Sequence, residues 1–190
     1  MKLQYNSPVI LTFALIAAAV MLLSNLTAGA STRFLFTVYP GIGQFFNPLT
    51  YIRIFTHVIG HADWSHLIGN FTYILLIGPL LEEKYGSQSI LIKIVITAAV
   101  TGILNTILFP TALLGASGVV FMLILLGSFS NIRSGEIPLT FVIIAVLFLG
   151  QEILNSFRPD NVSQFAHILG GIVGSLFGFG KFLPSAAKRS

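Results

Sequence analysis

Very few side chains in the apolar runs of this chain could do chemistry, and four of them share a placement. Ser117 stands in Gly115-Ala116-Ser117-Gly118 and His167 in Ala166-His167-Ile168-Leu169-Gly170. His66 and Asn70 are four residues apart, which puts both on one face of a helix. Serine and histidine are the pair from which an activated hydroxyl is made, imidazole taking the proton as the oxygen attacks a carbonyl. His66, Asn70 and the backbone N–H of Ser117 are donors of the kind that stabilise the resulting oxyanion. Each piece has a plainer reading. A serine in an apolar helix usually bonds its own backbone, a buried histidine is often structural, and Gly-x-Ser-Gly outside a strand-to-helix elbow is a weak signal. His57 and His61 read as loop-structuring residues. What gives the four weight is the set of elements that must place them.

Those elements are membrane helices. Only 8% of the 190 residues are charged and 55% are hydrophobic, with mean hydropathy +0.90; a soluble domain carries roughly 25% charged residues. Runs of about 20 apolar residues span a bilayer, and this length accommodates six with short connections, as one all-α polytopic domain. The charge-free run after Lys2 gives a first helix over 8–26. A stretch over 29–63, broken by Pro40, Gly41, Gly43 and Pro48, is too interrupted to span and reads as a folded interfacial loop. The second helix covers 64–84, closing at Glu82-Glu83-Lys84-Tyr85-Gly86. The uncharged run Ile94–Ile132 is too long for one span, and Pro110 divides it into helices over 89–109 and 116–132. A fifth helix over 138–156 and a sixth over 162–182 complete the set. The alternative for the N-terminus is a signal peptide ending at Ala28-Gly29-Ala30, against which its apolar stretch is nearer a full span.

Basic residues orient the helices. With the N-terminus cytoplasmic, Lys2, Lys84, Lys93, Arg133, Lys181, Lys188 and Arg189 lie inside, and Arg33, Arg53 and Arg158 outside. That asymmetry favours both termini in the cytoplasm. The second, fourth and sixth helices then all start at the outer side. His66, Asn70, Ser117 and His167 each fall within a turn or two of such a start, roughly 10 Å or less below the boundary at about 1.5 Å per residue. Gly170, Gly174 and Gly178 recur every four residues, a smooth face for close approach to a neighbouring helix. His167 shares that face.

These motifs together resemble the rhomboid family of intramembrane serine proteases. The resemblance rests on His61-Ala62-Asp63-Trp64-Ser65-His66-Leu67-Ile68-Gly69-Asn70, on Gly115-Ala116-Ser117-Gly118, and on Ala166-His167-Ile168-Leu169-Gly170-Gly171-Ile172-Val173-Gly174, with Glu82 and Gly86 closing the second helix. It implies the minimal six-helix form of bacterial members, in the cell membrane, with the site opening outward. Ser117 is then the nucleophile and His167 the general base, while His66, Asn70 and the Ser117 amide form the oxyanion hole. Gly115, Gly118, Gly170, Gly174 and Phe121 pack near the site. Two positions depart from the pattern: Ile52 stands where members often have tryptophan before Arg53, and Phe121 where many have a tyrosine. The partners implied are the bilayer and membrane proteins with a transmembrane segment, with no cofactor, no metal and an oligomeric state left open.

Other classes fare worse. The ten Lys and Arg residues are scattered except at Lys188-Arg189, where nucleic acid would need a clustered stripe. With no cysteine, thiol chemistry is excluded. His57-Val58-Ile59-Gly60-His61 lacks the glutamate of HExxH zinc proteases, and no inverted repeat suggests a transporter. The remaining alternative is a catalytically inactive rhomboid-like module that binds membrane clients.

Overall fold

The computed structural model describes residues 5–129 and, beyond them, 139, 142, 143, 146, 147, 170, 172–174, 176 and 177. Every regular element among the described residues is helical, and their one β contact is an isolated antiparallel bridge between Val38 and Leu113.

Helix α1 (Pro8–Leu26) opens on a proline, which suits a first-turn position where no backbone N–H is needed. It buries Ile10, Phe13, Ala17 and Met21 and leaves Leu15, Ile16, Leu22 and Leu26 outward. The N–H groups of Val9 and Ile10, which have no acceptor within their own helix, donate to the two carboxyl oxygens of Glu82 at 3.0 and 2.9 Å. Glu82 therefore ties the start of α1 to the end of another helix.

Two short helices, α2 (Ala30–Leu35) and α3 (Pro48–Thr56), with 3-10 turns over Ile42–Phe46 and His57–Ile59, occupy the stretch read as an interfacial loop. None is long enough to cross a bilayer. Buried Arg53 joins α3 to α2, its Nε donating to the Phe34 carbonyl at 2.9 Å and its guanidinium lying 5.1 Å from the Tyr39 ring centre.

Helix α4 (Trp64–Tyr85) starts where the Asp63 carboxyl accepts the His66 N–H at 2.8 Å, a side-chain cap on its first turn. It ends at Gly86, whose φ of +83° suits a residue without Cβ. That one glycine reverses the chain, so α5 (Ser87–Leu108) starts two residues before the position expected from sequence. Helix α6 (Ser117–Phe129) starts one residue after the expected 116, and its expected continuation to 132 lies outside the described residues.

Contacts fix the relative directions. Ile10 meets Gly78, and Phe13 lies 5.2 Å from Phe71, ring to ring, so α1 and α4 are antiparallel. Gly115 meets His66 while Gly127 meets Ile77 and Leu81, so α4 and α6 are parallel. Residues Val119 to Leu126 of α6 are all buried, each 6% exposed or less. A helix apolar on every side and covered on every side is the centre of the bundle. Among the described residues three helices, α1, α4 and α5, are long and apolar enough to cross a membrane. Of the expected fifth helix, Leu139, Val142, Ile143, Val146 and Leu147 are described, all helical and exposed. The rest of that helix, and the start of the sixth with His167, lie outside the described residues.

Candidate active site

Ser117 is the first residue of α6, partly exposed at the end of the central helix. The segment leading to it is held at Thr111, Leu113, Gly115 and Ala116. The Asn105 side chain donates to the Thr111 carbonyl at 2.9 Å. Leu113 exchanges two backbone bonds with Val38, both 2.9 Å. The Gly115 N–H donates to the His57 carbonyl at 2.9 Å, and the Ala116 N–H points at His61 Nε2 at 3.4 Å. The next N–H, that of Ser117, meets no acceptor among the described residues.

Gly115 has a φ of +113°, a conformation that suits glycine. A Cβ there would lie 2.6 Å from His66 Cε1, 2.7 Å from His66 Nε2 and 3.7 Å from Asn70 Nδ2. The bare backbone of Gly115 therefore lets the serine turn sit directly against both polar side chains of α4. Asn70 is 8% exposed and spends one N–H on the His66 carbonyl at 3.1 Å. His66 is half-buried, with Asp63 capping its backbone. The structure brings Gly115, two residues before Ser117, against His66 and Asn70.

The last helical segment closes on α6 at two glycines. A Cβ at Gly170 would lie 2.1 Å from the Gly118 carbonyl oxygen, and one at Gly174 would lie 2.6 Å from that of Met122. The registers advance together, 118 with 170 and 122 with 174, so the two helices are parallel and in backbone contact. Gly118 follows Ser117, and Gly170 follows His167 by three residues. Phe121 is buried on α6, 2% exposed.

Two buried histidines before α4 line the turn. His57 directs Nδ1 at the carbonyls of Ile54 and Arg53, 3.0 and 3.3 Å, and Nε2 at the Thr101 hydroxyl, 3.3 Å. Burial lowers its pKa to about 4 against the raising effect of those carbonyls. Burial, with neighbouring His66 adding to it, lowers His61 to about 3, against smaller raising effects of the Ile59 carbonyl and Asp63. Both rings are neutral near pH 7. Both His57 nitrogens and His61 Nε2 meet different partners, and no group of three or more His, Asp or Glu suited to a metal occurs among the described residues.

The sequence reading passed over Thr101 and Asn105. They carry the inner wall of the site through His57 and Thr111. The signal was readable: Thr97, Thr101 and Asn105 recur every four residues in an uncharged run and so share one helix face, here buried at 1% exposure or less.

Residues 48–184 match the model of the rhomboid domain family. Among curated proteins the chain is 25% identical over 130 residues to "Rhomboid protease GlpG" of Haemophilus influenzae, covering 67% of this chain and 68% of that one. It is 31% identical over 138 residues to "Rhomboid-related protein 1" of Caenorhabditis elegans, a match spanning 67% of this chain but only 39% of the worm protein. It is 28% identical over 133 residues to "Putative rhomboid protease YdcA" of Bacillus subtilis, covering 67% and 65% of the two chains. The domain match takes in α3, the capped start of α4, the serine turn and the glycine-packed last helix, and on it the chain belongs to the rhomboid family.

Proposed function

We propose that this integral membrane protein is an intramembrane serine endopeptidase, with Ser117 as nucleophile and His167 as general base on a six-helix bundle. The observation that carries the reading is the seating of Gly115 against His66 and Asn70, at the turn that delivers Ser117. Gly118 against Gly170 supports the base assignment, because it sets the last helix beside the residue that follows the serine.

In this mechanism Ser117 Oγ attacks the carbonyl carbon of the scissile bond while His167 takes its proton. The carbonyl oxygen becomes an oxyanion, accepting from the Ser117 N–H, Asn70 and His66. Collapse breaks the C–N bond, His167 gives the proton to the departing amine, and an acyl-enzyme remains. Water, deprotonated by His167, then attacks the ester; its C–O bond breaks and His167 returns the proton to Ser117 Oγ. Substrates are membrane proteins with a transmembrane segment, cut near its outer end, the termini of the enzyme being cytoplasmic. An intact substrate helix hides its carbonyls in i to i−4 bonds. Glycine or proline in the substrate span, each weakening a helix by about 1–3 kcal/mol relative to alanine, therefore promotes cleavage.

The test is an active-site-directed fluorophosphonate with a single-span model substrate. Wild type is labelled at Ser117 and cuts near the outer end of the span, while folded Ser117→Ala and His167→Ala variants do neither. Turnover in purified Ser117→Ala protein would overturn the mechanism. A wild type that binds the substrate but is neither labelled nor active would leave the client-binding module.

A further inference from the structure

We propose that His61 is a positioning residue of this site: as a neutral acceptor it holds the Ala116 N–H and shoulders His66, fixing the two halves of the oxyanion pocket relative to each other. The proposal rests on the serine-protease reading above. The pocket as assigned has donors on different helices, side chains of His66 and Asn70 on α4 and the Ser117 N–H on α6. Something must set their separation to within a few tenths of an ångström, because a donor misplaced by about 1 Å can lose on the order of 100-fold in rate.

His61 touches both halves. Its Nε2 lies 3.4 Å from the Ala116 nitrogen, one residue before the nucleophile. Its ring stands edge-on to that of His66 with centres 5.0 Å apart, and is backed by Phe71 at 5.7 Å. It is 1% exposed, so the ring cannot swing into solvent. The chemistry also fixes its tautomer. To accept from Ala116, Nε2 must be unprotonated, so the proton sits on Nδ1. Nδ1 is buried and meets no partner of full hydrogen-bond geometry among the described residues, while the Ile59 carbonyl raises the pKa of the ring against the larger effect of burial. A ring kept for packing alone would be better replaced by phenylalanine, since an unsatisfied buried N–H is costly. The acceptor at Nε2 is what offsets that cost.

Two variants separate the acceptor from the ring. His61→Phe keeps an aromatic ring and removes the acceptor. His61→Gln removes the ring and places Oε1 near the position of Nε2. Turnover is measured per fluorophosphonate-titrated site beside a thermal melt of each protein. The expectation is that His61→Phe lowers kcat by roughly 10- to 100-fold, with KM changed less than about twofold because uniform binding is untouched. His61→Gln recovers kcat to within about threefold of wild type, since its oxygen restores the held amide. A purely structural role would lower melting temperature and titratable fraction but leave kcat per site unchanged, and that result overturns the proposal. Equal kcat losses in folded Phe and Gln variants overturn it too. A second readout needs no variant: in ¹⁵N-histidine-labelled wild type, His61 is expected as the Nδ1–H tautomer, and a protonated Nε2 overturns the proposal. A wild type labelled at Ser117 keeps the protease reading whatever His61 does; an unlabelled wild type overturns both.

Discussion

The turn before Ser117 and the helical segment at residues 170–177 flank the same helix, α6, and are held to the rest of the protein by opposite means. The turn is a polar assembly. The Gly115 and Ala116 amides and the Leu113 backbone bond His57, His61 and Val38, and two neutral imidazoles sit beneath it. The last segment, at its described contact with α6, is fixed by the absence of side chains, with Gly170 and Gly174 laid on the carbonyls of Gly118 and Met122. Hydrogen bonds specify direction, which the proposed role of the Ser117 N–H as an oxyanion donor requires. Bare backbone contact specifies distance, which is what the proposed mechanism asks of the helix beside Ser117. The two regions should therefore fail differently.

The largest effect is expected at the glycine contact. Gly170→Val puts its Cβ 2.1 Å from a backbone oxygen that belongs to the central helix and cannot rotate away. Overpacking of a tight contact costs about 1–3 kcal/mol or more, and separating the helices would move the proposed base. Turnover should be undetectable in a cleavage assay, with a clearly lower melting temperature. Near-normal turnover would show that the last helix does not need the contact.

Next is the polar side. Asn70→Ala should lower kcat by roughly one to three orders of magnitude, the usual loss of one oxyanion donor, while Ser117 stays reactive to fluorophosphonate at a reduced rate. A wild-type kcat would remove Asn70 from the pocket.

A pH series sharpens the contrast with a smaller effect. His57 and His61 are lowered from 6.5 to about 4 and about 3 in the folded protein. The unfolded chain therefore takes up protons that the folded chain refuses, and stability present above pH 6.5 is lost as pH falls toward 4 and 3. Melting temperature should drop from pH 7 to pH 5. His61→Gln should flatten that slope, whereas Gly174→Ala should lower the whole curve without changing it. An unchanged slope in His61→Gln would refute the assignment of the pH dependence to the turn.

Smallest at the site is a change at the opposite end of α4. Glu82→Gln leaves one acceptor oxygen where two serve the Val9 and Ile10 N–H groups. It should cost on the order of 1–3 kcal/mol of stability and leave kcat per titrated site unchanged. A changed kcat would mean that α1 and the active site are coupled.

Local sequence was enough for features governed by one segment's own physics. Pro8 and the charge-free run after it set α1, since a proline can begin a helix and uncharged residues can cross a bilayer. Asp63 three residues before His66 caps α4, because a carboxyl at the N-cap reaches the N–H groups of the first turn. The four-residue repeat of Gly170 and Gly174 announced a close helix contact on spacing alone. The spacing did not name the partner helix. That depended on α6 being the buried centre of the bundle, a fact of what surrounds it, since its own residues are as apolar as those of α1. Nor could sequence tell that the His57 carbonyl and the His61 ring, about sixty residues before Ser117, hold the amides leading into it. A periodic pattern reports which face of one helix is apolar. Which backbone N–H a distant carbonyl or imidazole accepts is settled only when separate helices pack, and at the turn before Ser117 the tertiary structure made that choice.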